Sequence, residues 1–254
     1  MSTLIAFFAS LLTIPASLGI SFDEVTACRT TEFTTLMYHH VREYDTLSPE
    51  AKNISVSLEE FRAQMKFLHQ NKYQAITSQD IHEGTVPCKS VMITFDDGYY
   101  DVFSQAYPIM QKYKYTGVIG VILAKVDESD YLFWPDIRTL QKAGWEIASH
   151  TWHHTNLSLL DETLIPEEIH RSKEDLEKWF HTKVHIFIYP KWRYRYSTLD
   201  EIKKSGYSYA FTTQTGKTNL SNKPLELKRI DVIPGMTIDH FAKLLEPTEP
   251  IIEK

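Results

Sequence analysis

Apolar residues recur along this chain with two different periods, and the switches between them outline its elements. Short runs rich in apolar, β-branched and aromatic residues predict strands over Thr34 to Tyr38 (TTLMY), Tyr73 to Thr77, Ser90 to Phe95 (SVMITF) and Thr116 to Leu123. The same pattern predicts strands over Trp145 to Ser149 (WEIAS), Val184 to Tyr189 (VHIFIY), Tyr207 to Thr212 and Ile230 to Ile233. Between these runs, apolar positions fall three and four residues apart. Leu58, Phe61, Met65 and Leu68 make one such stripe, and Ser57-Leu58-Glu59-Glu60 is a capping box that opens it. Further helices are predicted from Tyr100 to Tyr113, interrupted near Pro108, and from Pro135 to a stop at Gly144. Another starts at Pro166, with Ile169, Leu176, Trp179 and Phe180 on or near one face; two more cover Thr198 to Lys204 and Ile238 to Leu245. Strands alternating with helices of about 10–15 residues predict βαβ units, hence an α/β fold with a parallel sheet or barrel in one domain. In such folds chemistry sits at the C-terminal ends of strands.

A different pattern opens the chain. Leu4 to Ile14 is apolar, Pro15 breaks it, Ala16-Ser17-Leu18-Gly19 are mostly small, and no charged side chain precedes Asp23. This reads as a secretory signal over residues 1–19, or an N-terminal anchor, although the basic n-region is missing. The run falls short of the roughly 20 apolar residues that a spanning helix needs. Residues 20–254 are then the functional domain, expected to be secreted, periplasmic or held at the cell envelope through the N-terminus.

Composition narrows this only slightly. In 254 residues, 43% hydrophobic and 24% charged is ordinary globular usage, and a net charge of −6 gives no electrostatic case for nucleic acid. A monomer is the expected state. Two cysteines, Cys28 and Cys88, exclude a disulfide scaffold and a four-cysteine zinc site. Export would permit a bond between them; two unrelated buried thiols fit the sequence equally well.

Three predicted strand ends carry the polar residues. SVMITF runs into Asp96-Asp97-Gly98. Two adjacent buried carboxylates repel unless a cation sits beside them; a solvated Asp-Asp-Gly turn is the plain alternative. WEIAS runs into His150-Thr151-Trp152-His153-His154. A helical turn there would put His150 and His154 on one face at a spacing that suits one metal ion, with His153 pointing elsewhere. VHIFIY runs into Pro190-Lys191-Trp192-Arg193-Tyr194-Arg195-Tyr196, a basic aromatic loop. It could floor a sugar groove, or be an ordinary surface loop or a lipid-headgroup patch. One Asp and two His form a metal set with open positions, suited first to zinc and also to iron(II), cobalt or nickel. The second Asp is left free as a general base, which predicts metal-assisted hydrolysis of a carbonyl compound.

TFDDG at 94–98, HTWHH at 150–154 and FIYP at 187–190, in that order, resemble the polysaccharide deacetylase family, carbohydrate esterase family 4. MYHHV at 37–41 and FRAQMKFLHQNKY at 61–73 resemble its branch acting on exported poly-N-acetylglucosamine, and the resemblance spans residues 34 to 245. It implies a distorted (β/α)7 barrel and metal-dependent removal of N-acetyl groups, less often O-acetyl groups. The polysaccharide would be poly-N-acetylglucosamine, a chitin-like polymer or the peptidoglycan glycan. It also implies Asp96 as general base, Asp97, His150 and His154 as metal ligands, and the Lys191 backbone N–H as an oxyanion donor. Tyr189, Pro190, Trp192 and Arg193 are the expected substrate-binding positions. Departures accompany the match. Ile188 stands where an arginine often precedes the proline, and Trp192 where a glycine often follows it. Neither the later Asp-and-Trp motif nor the general-acid histidine has a clear counterpart. Ile230 to Gly235 occupies the expected place of that histidine, and His240 beyond it falls in a predicted helix. These gaps motivate an alternative, a catalytically weak sugar-binding relative that keeps the metal site. A hydrolase of some other amide is a third reading.

Overall fold

Seven parallel strands close into a barrel: β1 (Glu32–Tyr38), β2 (Ser90–Phe95), β3 (Val118–Val121), β4 (Glu146–Ser149), β5 (Ile186–Ile188), β6 (Tyr209–Thr215) and β7 (Leu227–Asp231). Each pairs with the next, and β7 pairs back onto β1 through Leu36↔Ile230 and Met37↔Asp231. This computed structural model describes residues 28–43, 48–191, 194–221 and 223–246; the expected signal segment, Trp192 and Arg193 lie outside them. Around the barrel run α1 (Leu58–Gln70), α2 (Tyr107–Lys112), α3 (Trp134–Lys142), α4 (Ser172–Phe180), α5 (Tyr196–Lys204) and α6 (Ile238–Leu245). The (β/α)7 barrel that the family resemblance implies is the fold. No helix among the described residues is long and apolar enough to cross a membrane.

The strands are apolar on both faces because both faces are covered. Met92, Val118, Ala148, Ile186, Ile188, Phe211 and Leu227 form one buried cluster. Val91, Ile93, Phe95, Ile119, Ile147, Phe187 and Ile230 form another with Phe61, Met65, Leu68, Ile137, Leu140 and Leu176 of the helices. Glycine at 120 suits a tight place in the packing, since a Cβ there would meet Ile188 Cδ1 at 3.0 Å. The capping box holds as read: Ser57 accepts the Glu60 N–H while Glu60 accepts the Ser57 N–H.

Several elements differ from the pattern. Of Tyr73 to Thr77 only Gln74–Ala75 is strand, an edge pairing on β2. The expected helix from Tyr100 begins as a wide turn over Val102–Ala106, whose last bond runs from the Tyr107 N–H to Val102 O. Pro108 cannot donate, so it sits in the first turn of α2, where no donor is needed. A second wide turn, Glu167–Arg171, precedes α4. Trp179 is not on the buried face: it is 52% exposed and stacks on Trp134 at 4.8 Å.

Cys28 and Cys88 are joined by a disulfide, 60 residues apart in sequence. It fastens the chain before β1 to the segment before β2, reinforced by the Cys88 N–H to Cys28 O bond. Closing a loop of that length removes about 4 kcal/mol of unfolded-state entropy. Cys28→Ser is therefore expected to lower the guanidinium unfolding midpoint by a corresponding amount. An unchanged midpoint, with and without reductant, would show that the bond carries no stability.

Candidate active site

The C-terminal ends of β1, β2, β4, β5 and β7 converge at one mouth of the barrel, and the polar strand ends meet there. Asp96 and Asp97 follow β2. Asp96 is 1% exposed and points into the barrel, where Arg229 of β7 grips it with two bonds, Nη1 to Oδ1 at 2.6 Å and Nη2 to Oδ2 at 2.8 Å. Arg229 is itself buried and also donates to Thr94 Oγ1 and to Thr212 O, each at 3.0 Å. Burial alone would push the Asp96 carboxyl up; the charge and hydrogen bonds of Arg229, with His150 and His39, outweigh it and hold the group below its ordinary value. Asp96 therefore remains ionised while buried.

Asp97 turns the opposite way. Its backbone is left-handed, with φ 70°, and Gly98 follows at φ 76°. Burial raises its carboxyl, but His150, His39 and His154 reverse that and hold it well below the ordinary range. Its Oδ1 stands 3.3 Å from His150 Nε2 and 3.3 Å from His154 Nε2. His150 Nδ1 lies 2.8 Å from Ile188 O, so the ring donates there and leaves the Nε2 lone pair facing Asp97. Lone pairs thus converge on one point, and Asp97 Oδ1 is buried with no hydrogen-bond partner among the described residues. The three ligand atoms lie within 4.8 Å of one another. Such a set fits a divalent cation, which would satisfy all three at once; zinc accepts this oxygen and nitrogen set with positions to spare. Burial first, and then His150, lower His154 to about 4, so its ring stays neutral and able to ligate.

The two histidines do not meet through a helical turn. Thr151 and His154 are both left-handed, φ 67° and 60°, and the His154 N–H bonds back to Thr151 Oγ1 at 2.9 Å. The loop doubles back on itself and brings the imidazole centroids to 4.9 Å. His153 points away, to Glu168 at 2.7 Å.

Lys191 is also left-handed, φ 64°, and its N–H has no hydrogen-bond partner among the described residues. It lines a cavity of about 540 Å³ with Met37, Asn156, Leu159, Thr213 and Asp231. Tyr189 and Pro190 do not open onto it. Tyr189 is 1% exposed, its ring stacked on Tyr194 at 4.5 Å and its hydroxyl bonded to Leu225 O. It braces the loop and presents no face to a sugar, because it ends a strand on the helix-facing side of the barrel.

Two functional residues were not singled out from the sequence. Arg229 supplies a guanidinium to Asp96 from β7, whereas Ile188, at the position where an arginine was looked for, packs in the barrel interior. His39 follows β1 directly at the same mouth and forms part of the electrostatic surroundings of the Asp96, Asp97 and Asp231 carboxyls. His240, by contrast, is exposed on α6.

Comparisons with known proteins agree with this fold and name a family. Residues 83–210 match the family model described as polysaccharide deacetylase, a span that holds Asp96, Asp97, His150 and His154. The chain is 32% identical over 216 residues to YxkH of Bacillus subtilis, named for the same activity, covering 83% of this chain and 75% of that one. It is 28% identical over 235 residues to a poly-beta-1,6-N-acetyl-D-glucosamine N-deacetylase of Staphylococcus aureus, covering 82% and 81%. Among solved structures, the Streptococcus pyogenes deacetylase PplD in complex with acetate superposes with a TM-score of 0.79 at 26% identity, covering 85% of this chain and 99% of that one. This chain belongs to the polysaccharide deacetylase family.

Proposed function

We propose that this chain is a metal-dependent hydrolase that removes N-acetyl groups from an exported or cell-envelope polysaccharide of N-acetylglucosamine. The observation that carries the reading is the division of two adjacent carboxylates. Asp97 faces His150 and His154 as a ligand, while Arg229 holds Asp96 ionised but outside that set. A divalent cation bound by Asp97, His150 and His154 supplies Lewis-acid polarisation of the acetyl carbonyl and makes water a better nucleophile.

The chain's own residues do the rest. Asp96 takes the proton of the attacking water as the new carbon–oxygen bond forms. The Lys191 N–H donates to the oxygen that gains negative charge. His39 gives a proton to the amide nitrogen as the carbon–nitrogen bond breaks, releasing acetate and a free amine. Asp231, paired with Met37 across β7 and β1, lines the same cavity as Lys191 and is placed to orient that ring. The sugar chain lies in the cavity beside Lys191, where Thr213 Oγ1 is buried without a partner among the described residues. His39 and Arg229 offer counterparts for two of the departures, the proton donor and the arginine, and so favour an active hydrolase over a weak sugar-binding relative. Export is supported by the apolar start of the chain and by the Cys28–Cys88 disulfide, which fits an oxidising compartment.

Acetate release from poly-N-acetylglucosamine, chitin oligomers and peptidoglycan, with and without chelator, tests the reading. Chelator-sensitive release is expected, greatest from poly-N-acetylglucosamine. No release from any of the three would overturn it.

A further inference from the structure

We infer that Asp101 is a positioning residue for the proton donor: it fixes His39 by holding the two residues that follow it. The inference rests on the reading of His39 as donor to the leaving amine. Asp101 lies just past the Asp97 turn, immediately before the wide turn that leads into α2. Its Oδ1 accepts the Val41 N–H at 3.0 Å, and its Oδ2 accepts His40 Nδ1 at 2.6 Å.

The His40 tautomer follows from its other partner. Arg42 Nη2 lies 3.1 Å from His40 Nε2, and a guanidinium can only donate. Nε2 is therefore the acceptor, and the proton sits on Nδ1, facing Asp101. The His40 ring is 3% exposed and stacks on Tyr99 at 3.6 Å, so it has no access to substrate. Both Asp101 oxygens face residues 40 to 42, with Arg42 Nε also 3.7 Å from Oδ2, so the carboxylate is spent on this segment and not on substrate.

The bond joins segments 60 residues apart: one begins with His39, the other with Asp96 and Asp97. Val41 and His40 are held on their far side by the short pairing with Ser55–Val56. Asp101 holds the near side, toward the Asp pair. A misplacement of about 1 Å at a reacting group costs on the order of 10²-fold in rate. A clamp on the donor's own backbone is the place where that sensitivity would show.

The test uses two leaving groups. An amine must be protonated to depart, whereas 4-nitrophenolate departs unaided. Turnover is measured on an N-acetylglucosamine oligomer and on 4-nitrophenyl acetate in the same preparation, so their ratio cancels any difference in folded fraction. Asp101→Asn should lower the amide-to-ester ratio by about 10–10²-fold, with the oligomer KM and the metal content per chain unchanged. In a His39→Gln background, adding Asp101→Asn should change the amide rate less than about two-fold, because coupled residues are not additive. Asp101→Glu keeps the charge and should fall between wild type and Asn. Parallel loss on both substrates, loss of metal, or full additivity with His39→Gln would overturn the clamp. If His39→Gln itself leaves the ratio unchanged, the donor reading fails first and the clamp falls with it, an outcome distinct from failure of Asp101 alone.

Discussion

Asp96→Asn is expected to lower acetate release from N-acetylglucosamine oligomers by about 10²–10⁴-fold, the usual contribution of a positioned general base, while metal content stays near that of the wild type. The amide keeps the shape of the carboxylate but cannot take the water's proton. The metal set does not include Asp96, so its three ligand atoms remain in place. One complication is built into the fold. Arg229 is fully buried and aims two N–H groups at Asp96, so the variant leaves a guanidinium without its anion. Such unpairing costs up to about 3–5 kcal/mol, so activity must be compared per folded, metal-loaded chain. Asp97→Asn separates the roles, since it should weaken metal binding and recover partly in excess metal. Near-wild-type release by Asp96→Asn would remove it as the base. Equal metal loss in both variants would show that the two carboxylates share one job.

How much of this was legible in sequence depends on what kind of feature each residue is. β2 runs from Ser90 to Phe95 as the apolar run predicts, because a strand buried on both faces has no other pattern to show. Asp96, Asp97, His150 and His154 stood out because they end such runs. His39 ends one too, after TTLMY, and the same rule applied to β1 would have found it. Arg229 was legible in a weaker way. Along β7, Leu227 and Arg229 are buried while Lys228 between them is exposed, so a period of two puts the arginine inside the barrel. A charge there needs a partner of opposite sign. The loop conformations were not legible. Asp97, Thr151, His154 and Lys191 all have positive φ, and Thr151 is β-branched, for which that conformation is a strained exception. Nothing in residue type announces it. The helical turn expected after His150 failed for this reason: the spacing of four was right for one metal, but the loop reaches it by doubling back.

Replacing His150 with Ala should bring bound metal from about one ion per chain to near zero, and amide turnover to the level of the chelated wild type. The expectation follows from geometry. His150 is 2% exposed, and its ring is oriented by the Ile188 carbonyl so that only Nε2 faces Asp97. No other described side chain joins the set to replace it. His154→Ala removes a ligand at a more open position, with 33% of its side chain exposed, so water can take part of its place. Its metal loss should be large but partly reversed by excess zinc. Stability offers a readout independent of turnover. A ligand at 100 times its Kd stabilises the folded state by about 2.7 kcal/mol, so zinc should raise the Tm of chelator-stripped wild-type protein. The same addition should leave the Tm of His150→Ala where it was, because the half-satisfied set no longer binds tightly enough. Undiminished metal in both variants, measured by elemental analysis, or an equal rise in Tm in wild type and His150→Ala, would place the ion elsewhere. The convergence of Asp97 with the two imidazoles would then be a buried polar contact and not a centre of catalysis.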